Sequence, residues 1–186
     1  MLIRKRVRMK NWIGIILIAW LVSAFASASE LSSSVRWLSF EEAIELSKSE
    51  PRKIFIDVYT DWCGWCKKMD AGTFSDPAVA KILNEQFYPV KLNAEQREII
   101  KFDGREFEFV GEGRRGYHQL AAALLDGKMS YPSVVFLNED LEKMQVLAGY
   151  HNASSFHQIV SFIGLDHFET MSWKEYQKEY ESPYGD

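Results

Sequence analysis

The chain of 186 residues contains two cysteines, Cys63 and Cys66, separated by two residues. The pair follows an apolar run over 54–59 that predicts a buried strand, and it precedes a segment that predicts a helix. A CxxC at a strand-to-helix junction is typical of a redox motif, because two thiols at this spacing can close and reopen a small disulfide. The N-terminus of a helix favours an anion and therefore a thiolate, the form of cysteine that attacks disulfides.

A structural disulfide and a zinc site are the alternative roles for the cysteine pair, and both stay open at this point. A structural disulfide across two residues closes almost no loop, so it would remove little entropy from the unfolded chain. A zinc site with two cysteines would need two histidines as well, and the histidine spacing gives no sign that any of them approaches the pair. An active redox pair accounts for the spacing better, and we interpret the histidines as surface or helix residues. They are His118, His151, His157 and His167.

The N-terminal residues 1–28 have the pattern of a secretory signal peptide. Basic residues over 4–10 precede an apolar run over 12–25 that is short for a membrane span, and small residues over 24–28 fit a cleavage site. We therefore expect an exported protein, or a membrane-anchored one if the signal stays uncleaved. Five of the 22 basic residues lie in this segment, so the remainder has 17 basic and 26 acidic residues, a net charge of about −9. This charge argues against a nucleic-acid partner.

The rest of the chain predicts a lead-in over 29–38 and a domain over 39–164 that alternates strands and helices. Ser39 and Glu42 form a capping-box pattern, and Asp76 with Pro77 marks another helix start. Strand–helix–strand units before a final hairpin imply a mixed sheet covered by helices on both faces. The strands are predicted over 53–59, 87–92, 133–137 and 143–148, and the helices over about 40–48, 63–71, 76–85, 117–125 and 152–163.

Four short motifs follow one another along the chain: Asp57, the run Trp62-Cys63-Gly64-Trp65-Cys66-Lys67, Lys91-Leu92-Asn93 and Tyr131-Pro132. In this order they resemble the thioredoxin fold, and the resemblance extends from about residue 53 to residue 164. The stretch over 57–77 is especially similar to the C-terminal thiol-reductase domain of the DsbD family, and the chain also resembles secreted thioredoxin-like proteins of bacterial envelopes. The resemblance implies an α/β protein with a central mixed β-sheet flanked by helices on both faces, and a location in the bacterial periplasm or cell envelope.

The resemblance also implies catalytic roles. Cys63 matches the nucleophile that forms a mixed disulfide with substrate, and Cys66 matches the thiol that resolves it, so that the two form the redox disulfide. Asp57 matches a buried carboxylate behind the pair, and Lys91 matches the lysine beside that carboxylate. Substrate would bind at a flanking aromatic residue, at the dipeptide between the cysteines and at a cis-proline loop. These residues are Trp62, Gly64, Trp65, Tyr131 and Pro132.

Some of these roles have a physical argument of their own. Cys66 must lose its proton before it can release substrate from Cys63, so a nearby base helps. Asp57 lies in an apolar run, where loss of water would raise its pKa towards that task. The alternatives are that Asp57 faces solvent, that Lys91 is an ordinary exposed strand residue, and that Trp62 only packs.

The chain departs from thioredoxins at three places. Trp65 stands where thioredoxins have proline, and its ring adds aromatic surface that could serve partner docking. An insertion over about 94–116 contains the turn signal Asp103-Gly104 and predicts a β-hairpin; we expect it to extend the sheet rather than to shape substrate choice. A C-terminal extension over 165–186 has apolar residues at helical spacing, which predict a last helix packed on the domain or, alternatively, a partner-binding helix. They are Phe168, Met171, Trp173 and Tyr176.

The sequence thus predicts an exported thiol–disulfide oxidoreductase that uses Cys63 and Cys66 without a metal or an organic cofactor. Its expected partners are disulfide- or thiol-containing substrate proteins and a membrane thiol protein that donates electrons. Reduction of protein disulfides is the expected direction. The alternatives are a disulfide oxidase or isomerase, and a thioredoxin-like binding module whose thiols are not essential.

Overall fold

The computed structural model describes residues 34–112 and 116–185 of the chain. The predicted signal peptide over 1–28 lies outside these residues, and so do positions 29–33 of the lead-in. Within the described ranges, every helix is too short or too polar to cross a bilayer.

The described residues form six α-helices, eight strands and a short 3-10 helix. The helices are α1 (Phe40–Ser49), α2 (Gly64–Gly72), α3 (Pro77–Gln86), α4 (Gln119–Leu124), α5 (Ala153–Gly164) and α6 (Trp173–Glu179). The strands are β1 (Lys53–Tyr59), β2 (Phe87–Asn93), β3 (Ile100–Phe102), β4 (Arg105–Phe107), β5 (Phe109–Val110), β6 (Tyr117–His118), β7 (Ser133–Leu137) and β8 (Lys143–Ala148). The 3-10 helix, His167–Glu169, lies between α5 and α6.

Four of the strands form a mixed sheet in the order β2-β1-β7-β8. β1 and β2 are parallel, with Asp57 opposite Lys91, and α2 and α3 form the crossover between them. β7 is antiparallel both to β1 and to β8. The chain ends of β1, β2 and β8 therefore lie at one end of the sheet, together with the beginning of β7.

Side chains of β1 alternate between the two faces of this sheet. Ile54, Ile56 and Val58 lie in a core cluster with residues of α1 and α4. Phe55 lies in a second core cluster with residues of α2, α3 and α5. The predicted mixed sheet with helices on both faces is confirmed. Because side chains alternate along β1, Asp57 lies on the same face of the sheet as Phe55, the face covered by α2.

The predicted hairpin in the insertion is confirmed. β3 and β4 pair antiparallel across Asp103-Gly104, whose φ angles of 50° and 69° are the left-handed values that a two-residue turn needs. The second strand of the hairpin, β4, ends at Phe107, because β5 follows it and pairs with β6 instead. The next helix consequently begins at Gln119 rather than at residue 117.

The expectation that the insertion extends the main sheet is wrong. Both hairpin pairs are two-stranded sheets of their own. The outer edge of β2 is occupied by the lead-in, since Leu38 forms a parallel bridge with Val90. The β3–β4 hairpin packs over α1 instead, where the rings of Phe102 and Phe40 meet edge to face with centroids 5.1 Å apart.

The C-terminal extension packs on α5 through aromatic side chains. Tyr176 of α6 is 6% exposed, and its ring centroid lies 5.1 Å from that of Phe162. Trp173 approaches the same ring at 5.2 Å. The predicted last helix is therefore present, but it begins only at Trp173; Phe168 belongs to the 3-10 helix and Met171 to the link between the two.

Candidate redox site

The turn between β1 and α2 places Cys63 at the N-cap position of α2. Its backbone N–H donates to the carbonyl of Thr60 at 3.1 Å, and its Sγ accepts a hydrogen bond from the backbone N–H of Cys66 at 3.0 Å. N–H groups in the first turn of a helix have no partner within the helix and stabilise negative charge. The sulfur of Cys63 is thus positioned where a thiolate would be stabilised once the pair is reduced.

Cys63 and Cys66 form a disulfide, with Sγ atoms 2.09 Å and Cα atoms 5.3 Å apart. The two residues are 4% and 2% exposed, whereas Gly64 and Trp65 between them lie at the surface. A Cβ atom added to Gly64 would meet no atom within 4 Å. The approach to the disulfide over Gly64 is therefore open.

The loop before β7 lies at the same end of the sheet as the cysteines. β7 runs antiparallel to β1 with Ser133 opposite Val58, so Pro132 lies beside the end of β1 from which the cysteine turn leaves. The Tyr131–Pro132 peptide bond is cis, as the resemblance implies. The carbonyl of Pro132 accepts a hydrogen bond from the N–H of Gly149 at 2.8 Å, which joins this loop to the end of β8.

On the face of the sheet covered by α2, one lysine bridges two carboxylates. Lys91 Nζ donates to Asp57 Oδ2 at 2.7 Å and also to Oδ1 of Asp70 in α2. Asp57 is 1% exposed, so the alternative in which it faces solvent is wrong. Lys91 is likewise a paired and partly buried residue rather than an exposed strand lysine.

Burial and ion pairing shift the pKa values of Asp57 and Lys91 in opposite directions. Burial raises the pKa of Asp57 to about 6, because the loss of water penalises the carboxylate by more than Lys91 stabilises it. Burial on its own would lower the pKa of Lys91, but Asp57 and Asp70 together raise it. Asp57 Oδ1 is buried and has no hydrogen-bond partner in the described residues. This oxygen can therefore gain or lose a proton while the other keeps its bond to Lys91.

Sequence reasoning missed Asp70 as a member of this cluster. Asp70 stands four residues after Cys66, so both lie on one face of α2, and this spacing is the signal that could have identified it. Aromatic rings complete the surroundings of the lysine: Nζ of Lys91 lies 4.9 Å from the ring centroid of Trp37 and 4.8 Å from that of Tyr59. The ammonium group of Lys91 is therefore paired with two carboxylates and also lies near the faces of these two rings.

Two tryptophans flank the disulfide at the surface, on different supports. Trp62 is 61% exposed; its Nε1 donates to Glu95 Oε1 at 3.0 Å, and its ring packs edge-on against Tyr131 with centroids 6.0 Å apart. The ring of Trp62 is therefore packed on one side and open to solvent on the rest, and its role in substrate binding stays a prediction. Glu95 was missed because it is distant in sequence, in the loop after β2.

Trp65 is 56% exposed, and its ring centroid lies 5.3 Å from that of Tyr150. Nζ of Lys68 lies 4.8 Å from the Trp65 centroid and 5.1 Å from the Tyr150 centroid. Tyr150 follows β8, far from the cysteines in sequence, and no local pattern connects it with them. The exposed aromatic surface predicted at Trp65 is present, together with a cation that the sequence analysis did not include.

The interpretation of the histidines as surface or helix residues is wrong for His118. This side chain is 0% exposed; its Nδ1 accepts from the N–H of Leu120 at 3.3 Å, and its Nε2 lies 3.0 Å from the carbonyl of Glu98. His118 is therefore a buried cap of α4 that also ties down the insertion. In the described ranges, no three His, Cys, Asp or Glu side chains are grouped so that they could hold a metal ion.

Known proteins with similar sequences or structures share this fold. The chain is 28% identical to the thiol:disulfide interchange protein DsbD of Tatumella citrea, in a match covering 45% of this chain and 18% of that protein. A thioredoxin from Thermus thermophilus has a TM-score of 0.52 at 20% identity, covering 70% of this chain and 87% of the other. A Bacteroides thetaiotaomicron structure, named as a proposed disulphide-isomerase, has a TM-score of 0.50 at 27% identity, covering 75% and 95%.

The chain spans less than a fifth of the length of curated relatives such as this DsbD. The predicted thioredoxin fold, with a relationship to thiol–disulfide oxidoreductases, is nevertheless confirmed by these matches. The family Thioredox_DsbH, described as "Protein of unknown function, DUF255", matches residues 22–183. Because that match covers most of the chain and the fold agrees with it, the protein belongs to the Thioredox_DsbH (DUF255) family of thioredoxin-like proteins.

Proposed function

We propose that this protein is an exported thiol–disulfide oxidoreductase that reduces disulfides of other proteins with the Cys63–Cys66 pair. The observation that carries the proposal is the position of Cys63 Sγ. This atom caps α2, since it accepts a hydrogen bond from the backbone N–H of Cys66 at 3.0 Å. A sulfur in this position is a stabilised thiolate when reduced and therefore a competent nucleophile. The name of the DsbD relative, a thiol:disulfide interchange protein, supports the same chemistry.

In the proposed reaction, the reduced pair gives two electrons to a substrate disulfide. The Cys63 thiolate attacks one substrate sulfur and forms a mixed disulfide, while the other substrate sulfur leaves as a thiolate and takes up a proton. Cys66 then loses its proton and attacks Cys63 Sγ, and the substrate sulfur bound to Cys63 leaves as a thiolate, which takes up a proton. The substrate disulfide becomes two thiols, and the protein ends with the Cys63–Cys66 disulfide.

In this scheme, we propose that Asp57 accepts the proton that Cys66 loses. A carboxyl group whose pKa is about 6 can accept a proton near neutral pH, as a general base should. Lys91 holds Asp57 Oδ2 and leaves Oδ1 free for the transfer. Substrate backbone and side chains would dock on the rim of the site, where Trp62, Gly64 and Trp65 are exposed, Tyr131 is partly exposed and the buried Pro132 lies beneath.

Export and the electron donor are part of the proposal. The N-terminal sequence pattern supports a cleaved signal, and a reductase in an oxidising compartment needs a supply of electrons, for which we propose a membrane thiol protein. Fractionation of expressing bacteria and mass measurement of the chain test the location. A periplasmic chain that lacks residues 1–26 or 1–28 is expected, and a full-length chain in the cytosol would refute export.

The substitution Cys63→Ser distinguishes the proposed enzyme from the alternative of a binding module. We expect it to abolish reduction of a protein disulfide by the chemically reduced protein, because the attacking sulfur is lost. Cys66→Ser is expected to keep the first attack and to accumulate a mixed disulfide with substrate. Full biological function of the Cys63→Ser chain would instead support a thioredoxin-like module with non-essential thiols.

The reduction potential of the pair, measured by equilibration with glutathione, decides the direction. About 30 mV corresponds to about 1.4 kcal/mol in this two-electron couple, so the measurement discriminates well. A value near that of thioredoxin, about −270 mV, is expected for a reductase. A value near that of DsbA, about −120 mV, would favour the alternative of an oxidase or isomerase, which the name of the Bacteroides structure also suggests.

A further inference from the structure

We propose that the two exposed tryptophans belong to docking lobes of opposite charge, which select a cysteine-containing peptide segment with a basic residue on one side and an acidic residue on the other. The inference rests on the proposed function and specifies the substrate class of the same site. The acidic lobe consists of Trp62, Tyr131 and Glu95. The basic lobe consists of Trp65, Tyr150 and Lys68.

In the acidic lobe, a carboxylate is held beside the exposed ring of Trp62 and near the partly buried ring of Tyr131. Glu95 Oε1 accepts from the indole N–H of Trp62 at 3.0 Å, and the backbone N–H of Glu95 donates to the side-chain oxygen of Asn93 at 2.9 Å. Tyr131 lies close enough to feel this charge, since burial and Glu95 together raise its pKa to about 12. Glu95 therefore has a defined position next to the cis-proline loop.

In the basic lobe, an ammonium group lies between two aromatic rings. Lys68 Nζ is 4.8 Å from the Trp65 centroid and 5.1 Å from the Tyr150 centroid, distances at which a ring face attracts a cation. The hydrogen bond from Gly149 to Pro132 holds the Tyr150 segment against the loop that carries Tyr131. The basic lobe is therefore attached to the same loop as the acidic lobe.

Neither charge is neutralised in the part of the chain that the structure describes. The salt bridges there join other groups, and neither Glu95 nor Lys68 takes part in one. A charge that solvent can reach and that has no ion-pair partner attracts the opposite charge of an arriving chain and orients it; Glu95 is partly exposed and Lys68 is exposed. Both groups are thus available to a substrate.

The sheet topology places the lobes on opposite sides of the disulfide. In the order β2-β1-β7-β8, Glu95 follows β2 at one edge and Tyr150 follows β8 at the other, while Cys63 follows β1 between them. A segment that reaches Cys63 over the open surface at Gly64 therefore has one lobe on each side. The residues before and after the substrate cysteine face unlike charges.

The test uses two peptides of identical composition, one with lysine before and glutamate after a single cysteine, the other with this order reversed. Each cysteine carries a thionitrobenzoate disulfide, whose coloured release reports attack by the reduced protein. One order is expected to react about two- to fivefold faster than the other at low ionic strength. The difference should shrink at high salt, because exposed charges are screened.

The double variant Glu95→Lys/Lys68→Glu keeps the net charge and exchanges the charges of the lobes. It is expected to prefer the opposite peptide order. The control variant Glu98→Lys/Lys67→Glu makes the same exchange at exposed neighbours that have no ring contact or salt bridge in the described residues, and it should keep the wild-type preference. Equal rates for the two orders, or a preference that the lobe exchange leaves unchanged, would overturn the proposal.

A second readout separates failure of the lobes from failure of the proposed function. If the wild-type protein attacks neither peptide, the oxidoreductase proposal fails on its own. The peptides with serine in place of cysteine are then titrated against the oxidised protein, with tryptophan fluorescence as the signal. A preference for one order that the lobe exchange inverts supports the lobes, and equal affinities refute them.

Discussion

At the scale of single residues, the charges beneath the redox pair are arranged so that Asp57 keeps a proton more easily than an ordinary carboxyl group. Burial of Asp57 opposes ionisation, Lys91 favours it, and the nearby Asp70 opposes it again. The result is a pKa of about 6 in the folded protein, against 3.8 for an unperturbed aspartate. The folded state therefore binds this proton more tightly than the unfolded state does.

The first prediction concerns Asp57→Asn and the pH dependence of stability. Since the folded-state pKa is raised, ionised Asp57 destabilises the fold above about pH 6, and this penalty disappears as the pH falls towards about 4. A pKa difference of about two corresponds to a penalty of about 3 kcal/mol at pH 7. Urea unfolding of the oxidised proteins should show the variant to be more stable near pH 7, with little difference near pH 4. A constant difference across this range would contradict the raised pKa.

Asp70→Asn tests the coupling between the two carboxylates. Removing the charge of Asp70 removes a repulsion, so the pKa of Asp57 should fall below its wild-type value of about 6. The measurement is the carboxyl carbon shift of Asp57 in an NMR titration. Asp61→Asn is the control, because Asp61 is a nearby carboxylate that does not perturb Asp57. A pKa of Asp57 that stays the same or rises in Asp70→Asn would show that Asp70 has no such effect.

At the scale of elements, the end of α5 meets the start of β2 without room for a side chain. A Cβ atom on Gly164 would lie 2.7 Å from Cε2 of Phe87 and 3.1 Å from Cβ of Gln86. The Phe87 ring cannot easily withdraw, since it is 1% exposed and packs against Phe136 with centroids 5.7 Å apart. The absence of a side chain at position 164 therefore permits α5 to close the second core cluster.

We expect Gly164→Ala to destabilise the protein by about 1–3 kcal/mol, the usual effect of overpacking. Gly72→Ala in α2 is the matched control, because a Cβ atom there meets nothing within 4 Å. Alanine at that position should be neutral or stabilising by up to about 1 kcal/mol. Denaturant midpoints of the two variants provide the comparison, and equal midpoints would mean that α5 and β2 can move apart without penalty.

At the scale of the whole molecule, the C-terminal extension covers one side of α5 at a distance from the cysteines. Phe162 of α5 contacts three aromatic rings of the extension, and Tyr176 is the most buried of them. A neighbouring apolar depression of about 430 Å³ lies between β8, α5 and the extension. The extension therefore contributes to the stability of the domain through contacts that do not involve the redox site.

Tyr176→Ala should lower the free energy of unfolding by about 3–5 kcal/mol, as expected when a buried aromatic side chain is removed. The same variant should keep the wild-type reduction potential, because the ring contacts of Tyr176 are with α5, the 3-10 helix, α6 and Tyr180 directly after α6. Phe168→Ala, at a position 38% exposed, serves as the control and should have a smaller effect. Chemical unfolding and glutathione equilibration measure the two properties. A changed potential in Tyr176→Ala would mean that the extension acts on the redox site.

Features that depend on residues close together in the chain could be predicted from the amino-acid sequence. The cysteine spacing, the cap at Asp76 with Pro77, the apolar strand before Cys63 and the turn at Asp103-Gly104 are all local, so their geometry follows from a few residues and their backbone preferences. The positions of Asp57, Lys91 and Pro132 also followed, because the resemblance supplied a known arrangement for those motifs.

Contacts between residues that are far apart in the sequence depend on how the helices and strands pack in three dimensions. Asp70 reaches Lys91, and Tyr150 reaches Trp65, because α2 packs on the sheet and β8 ends beside β7. The spacing of Asp70 from Cys66 indicates only the helix face on which Asp70 lies, and no local pattern connects Tyr150 with Trp65. The insertion stays separate from the main sheet for the same reason, since Leu38 occupies the edge of β2. Such contacts depend on how the faces of all the elements are buried together, and this is set by the packing of the complete core rather than by any single segment.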